Sequence, residues 1–124
     1  MITQDKFNKL VKFFFMLQLH NKLYHWNTTS FARHKATDGF DDALQGLLDR
    51  FVEVFVGRYK MKPQINDIKI DATYLTDDGA VRLFEASKTV LEELSKDLQD
   101  SDLLNIRDEL LAEVNKTLYL FRLA

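Results

Sequence analysis

The chain has no cysteine, one proline and four glycines in 124 residues. Without cysteine there are no disulfides, thiolate metal sites or thiol nucleophiles, which agrees with a reducing compartment. So few breakers leave little room for the tight turns of a small β-protein and favour long helices. Long apolar runs are also missing. Phe13-Phe14-Phe15-Met16-Leu17 gives way to Gln18 and His20, far short of the ~18 residues of a membrane span and without a secretory cleavage pattern. A net charge of -2 supplies no basic field to draw the protein to nucleic acid or anionic lipid. The expectation is one cytoplasmic domain over 1–124, with no membrane partner and one buried core.

What is present is helical periodicity. A first helix is expected over about 3–27, with Thr3 as N-cap and a stripe of Phe7, Leu10, Val11, Phe14, Leu17 and Tyr24. A second stripe of Met16, Leu19, Leu23 and Trp26 makes it either a central core helix or one that faces core and subunit interface at once. After the polar turn Thr28-Thr29-Ser30, a second helix runs from about 31 or 32 to 60. Its core stripe is Phe40, Ala43, Leu44, Leu47, Leu48, Phe51, Val54 and Phe55, and Pro63 stops it. Thr76-Asp77-Asp78 opens a third helix, continuing through Leu98. Ser101-Asp102 opens a fourth, which carries Leu104, Leu111, Val114, Leu118 and Phe121 to the C-terminus.

The first two helices are joined closely, as are the last two, so each pair packs antiparallel. The stretch between, residues 61–75, reaches ~50 Å when extended, longer than a helix of ~28 residues. The expected fold is all-α: a ferritin-like four-helix bundle of two antiparallel helical hairpins joined by one long crossover.

The second helix carries the chemistry. On a wheel with His34 at zero, Asp38 falls near ~40°, Asp49 near ~60° and Glu53 near ~100°. The core stripe centres near ~250°, so these four side chains point away from their own core. Charged residues on such a face are usually only solvated. Val52 and Val56 share this face, however, and Gly39 and Gly46 sit beside it, features that solvation alone does not require. His34 with Asp38 and Asp49 with Glu53 are each one turn apart, but the pairs lie ~16 Å apart along the axis. His25, across the short turn, joins the first pair. If two second helices cross antiparallel, His25, His34 and Asp38 of one chain meet Asp49 and Glu53 of the other, and an isologous homodimer carries two identical sites. Two imidazoles and three carboxylates suit iron, manganese or zinc, whereas calcium prefers an all-oxygen shell.

This segment resembles the Dps family, the iron-oxidising miniferritins. His25-Trp26-Asn27 matches the family's His-Trp-Asn, and His34, Asp38, Asp49 and Glu53 match its second-helix ligand spacing. The resemblance implies a ferroxidase site at a two-fold interface with iron as substrate. It also implies a possible dodecameric cage for iron storage, protection against oxidative stress, and Trp26 as a redox neighbour. The turn between the histidines is shorter than the family's, and Val54 stands where the family commonly has Arg. No Lys-rich tail precedes the first helix, so direct DNA binding is not expected. Glu109 and Glu113 start no Glu-x-x-His motif and read as surface, and His20 reads as structural. The alternative is a non-enzymatic helical dimer or assembly with a structural metal or none.

Overall fold

The computed structural model describes residues 2–124, and these contain no strand. The helices are α1 (Gln4–Asn27), α2 (Phe31–Tyr59), α3 (Asp77–Glu93) and α4 (Ser101–Arg122), with 3-10 turns at Ala72–Leu75 and Leu94–Lys96. Their starts follow from capping hydroxyls. Thr3, Ser30 and Thr76 accept hydrogen bonds from the amides of Lys6, Arg33 and Gly79, satisfying donors that a helix start leaves free. Two ends differ from expectation. α2 closes at Lys60, which is left-handed at φ 53° with its amide on the Val56 carbonyl, so the helix stops before Pro63 and not because of it. α3 ends at Glu93 and tightens into a 3-10 turn, yet Leu98 beyond it is still buried.

The core is rich in aromatic rings. Phe7 stacks on Phe55 at 3.9 Å and Phe14 meets Phe51 edge-on at 5.5 Å, fixing α1 against α2. Phe84 joins Phe40 at 4.7 Å and Phe121 at 5.2 Å, which ties α3 to α2 and α4. In α4 the buried line is Leu103, Ile106, Leu110, Val114, Thr117, Leu118 and Phe121. Leu104 and Leu111 sit half-buried at its edge. Adjacent leucines at 103–104 and 110–111 allow either line, and packing against α2 selects one.

The helix ends set the topology. Tyr24 at the end of α1 bonds Asp77 at the start of α3 at 2.6 Å. Arg58 at the end of α2 bonds Asp100, just before α4, at 2.7 Å. Thus α1 and α4 run one way and α2 and α3 the other, and the crossover travels the length of the bundle. It is tied along α1. Gln4 donates to the Lys62 carbonyl, the Gln64 amide donates to Asn8, Lys12 meets Asp67, and the Asp71 amide donates to His20 Nε2. His20 is fully buried, and its Nδ1–H donates to the Met16 carbonyl at 2.6 Å. Both ring nitrogens are therefore used structurally. The bundle is the expected two hairpins and crossover, and no helix among the described residues is long and apolar enough to cross a membrane.

Two outcomes follow. A Cβ at Gly79 would lie 1.7 Å from the Thr73 carbonyl oxygen, so Gly79→Ala forces the 3-10 turn away from α3. Urea unfolding should show a loss of about 1–3 kcal/mol, although alanine favours helix. The second concerns pH. The Tyr24 hydroxyl bond, aided by Thr28 and Arg33, holds the Asp77 carboxyl below its ordinary range. Burial, and then that same bond, pushes the Tyr24 hydroxyl up. The Asp77 contribution is complete above the unfolded carboxylate pKa of ~3.9 and is lost as pH falls through the lower folded value. The Tyr24 contribution is complete below ~10 and is lost as pH rises through the higher folded value. Melting temperatures of Asp77→Asn across pH should show a flatter acid limb than those of the parent.

Candidate metal centre

The turn between α1 and α2 is residues 28–30, short enough to press the two histidines together. The rings of His25 and His34 stack with centroids 3.8 Å apart and planes 18° from parallel. Each bonds the other's backbone. His25 Nδ1 lies 2.8 Å from the His34 carbonyl oxygen, and His34 Nδ1 lies 2.9 Å from the His25 carbonyl oxygen. A carbonyl only accepts, so Nδ1 of each ring carries a hydrogen, and in the neutral ring Nε2 is the nitrogen with the lone pair. A metal-binding histidine almost always donates its other nitrogen in this way, which fixes its tautomer and orientation.

Thr37 completes the arrangement. It is fully buried and its hydroxyl shares its one proton between the Arg33 and His34 carbonyls, so its lone pair accepts a share of the His25 Nδ1–H at 2.9 Å. Asn21, also buried, donates to the Thr37 carbonyl at 3.0 Å. Sequence reasoning passed over both residues. The signal for Thr37 was its wheel position near ~300°, on the side of α2 where α1 packs.

The carboxylates behave differently. Asp38, Asp49 and Glu53 are exposed. Among the described residues no group of three or more His, Asp or Glu side chains could hold a metal. Asp38 was expected to share a group with the two histidines, but it stands in solvent one turn beyond His34. Asp49 borders a groove between α1, α2 and Pro63. Asp38, Asp42, Asp49 and Glu53 form no ion pair among the described residues, whereas nearby Asp41 meets Lys22 and Arg50 meets Glu109. A Cβ at Gly39 or Gly46 would meet nothing within 4 Å, so nothing covers α2 at these two positions beside the face. Trp26, beside His25, is 66% exposed, with Lys22 5.8 Å from its ring centre. Glu109 is exposed, and Glu113 lies 3.6 Å from Lys116. One chain thus holds a preformed imidazole pair at one end of the face and free carboxylates along the rest.

Over residues 25–121 the chain matches a family of unknown function (DUF5856), and it belongs to that family. The matched span begins at His25 and takes in all five candidate ligands. No curated protein and no solved structure matches the chain.

Thr37→Val removes the acceptor beside His25 while keeping the side chain's size. Denaturant unfolding should show a loss of about 1–3 kcal/mol. Zn(II) affinity, followed by competition with a chromophoric chelator, should fall roughly 10–100-fold.

Proposed function

For this member of the DUF5856 family, we propose a Dps-like ferroxidase whose Fe(II) site is completed across a two-fold axis. One observation carries the reading: His25 and His34 each commit Nδ1–H to a backbone carbonyl, which leaves two Nε2 lone pairs at the end of an open acidic face. The pair belongs to one chain. The carboxylates that would complete the shell, Asp49 and Glu53, lie too far along α2 to reach it and would come from a partner, with Asp38 turning inward as the interface closes. This donor set also accepts zinc and manganese.

In this reading the chain's residues divide the work. The imidazoles hold Fe(II) in a fixed place, because their tautomers are already set. The carboxylates neutralise the charge added when Fe(II) becomes Fe(III). Two Fe(II) ions give one electron each to one peroxide, which takes up two protons and leaves as two waters; dioxygen is the other oxidant the resemblance supports. Should twelve such chains close into a cage, the ferric product would be stored inside, and oxidative stress would be relieved without contact with DNA. A dimer with a structural metal is the second reading, favoured by the failure of Asp38 to join the histidines within one chain.

Adding Fe(II) aerobically and following ferric absorbance separates the two. The parent should oxidise Fe(II) faster than buffer. Asp49→Ala should slow it by at least the roughly 10–100-fold that loss of an outer-shell partner brings. A parent rate equal to buffer would remove the enzyme reading.

A further inference from the structure

The groove beside Asp49 is a cavity of about 350 Å³ whose apolar walls include Val11, Phe15, Leu48, Val52 and Pro63. It lies where Phe14 of α1 meets Phe51 of α2. The opposite end of the same face carries two exposed rings, Trp26 at 66% and Phe31 at 73% exposure, and the α1 stripe between adds Phe15 and Leu19, each at 43%. Aromatic rings this exposed leave much apolar surface in water. Trp26 cannot fill its own chain's groove, because it lies eleven residues, or ~16 Å, along α1 from Phe15.

We infer that a second copy of this chain seats on the α1/α2 face, with Trp26 of each protomer lying in the other's groove. This rests on the two-fold pairing proposed above. Trp26 adjoins His25, and Asp49 borders the groove, so an axis that sets His25 beside the partner's Asp49 also sets Trp26 beside the partner's groove. Charge agrees. Lys35 and Glu53 are eighteen residues apart, about five whole turns, so they share one side of α2 at opposite ends. Neither has an ion pair among the described residues, and the two-fold brings them face to face. Size agrees as well. α1 is ~36 Å long, and two helices side by side are ~20 Å wide, giving a face of roughly 700 Å², close to the ~800 Å² per partner of a stable interface.

Trp26 is the chain's single tryptophan, so emission reads this ring alone. Emission and sedimentation would be measured together over a dilution series, in EDTA and with added Zn(II). The expected result is a dimer with blue-shifted emission and slow acrylamide quenching, reverting to red-shifted, readily quenched emission as the dimer dissociates. Trp26→Ala, on an exposed position, should raise the dimer Kd tenfold or more with circular dichroism unchanged. Val52→Arg, which blocks the groove, should weaken the dimer similarly and keep Trp26 red-shifted. A monomer under both conditions, or a dimer whose Trp26 emits and quenches as in the monomer, would overturn the inference. The two readings fail separately. A dimer with buried Trp26 and no iron oxidation leaves this inference standing and removes the ferroxidase. Iron oxidation with Trp26 exposed does the reverse.

Discussion

Each of His25 and His34 donates Nδ1–H to the other's backbone carbonyl, and much of the rest depends on this exchange. The His25 carbonyl lies in the last turn of α1, where helix carbonyls have no partner of their own, and the imidazole of α2 supplies one. The bond that finishes α1 therefore also fixes α2 beside it across three residues. With that register set, Phe14 meets Phe51, Phe7 stacks on Phe55, and the outer sides of both helices form one continuous face. The same exchange decides which nitrogen of each ring remains basic. Hairpin geometry and ligand chemistry thus have a single cause.

The outer face of α2 gathers unpaired carboxylates in one line, in a chain close to charge balance. Several carboxylates elsewhere meet cations: Asp97 with Lys6, Asp67 with Lys12, Asp100 with Arg58. The Asp38, Asp42, Asp49 and Glu53 line has none, although it flanks apolar Val52 and the groove. Bringing two such lines together would place like charges in a medium of lowered dielectric, where repulsion grows. In the proposed dimer a bound cation would remove that obstacle, so metal and partner would favour each other's binding.

The fold was legible where local chemistry decides it. Thr3 and Thr76 marked helix starts by their hydroxyls, and the length of the crossover implied the topology. Lys60 was not legible, because nothing in a lysine announces a left-handed cap. Neither was the choice between Leu103 and Leu104 in α4, which only packing makes. At the site, wheel positions placed all four α2 residues on one outer face, and the short turn brought His25 to His34. Which nitrogen each ring would spend on the backbone depends on carbonyl positions that spacing does not encode. That Asp38 would stand apart in a single chain was hidden for a related reason: the wheel places it on the outer face, where it is exposed with no side chain to hold it toward the histidines.

The crossover has one more consequence. Lengthening a loop costs little in closure entropy, only about 0.6 kcal/mol per doubling. By that measure, residues 61–71 could grow freely over evolutionary time. The restriction comes from their attachments, since Gln64 and Asp71 give their amides to Asn8 and His20. An insertion between those two anchors could loop outward and leave both bonds in place. One placed within two residues of Asp71 would pull the amide from His20 and leave a buried ring nitrogen without a donor. Relatives should therefore differ in length near residues 65–68, where only the solvent-facing Lys12–Asp67 pair attaches the strap, and keep their register at 71, so that length variation marks where the strap is slack.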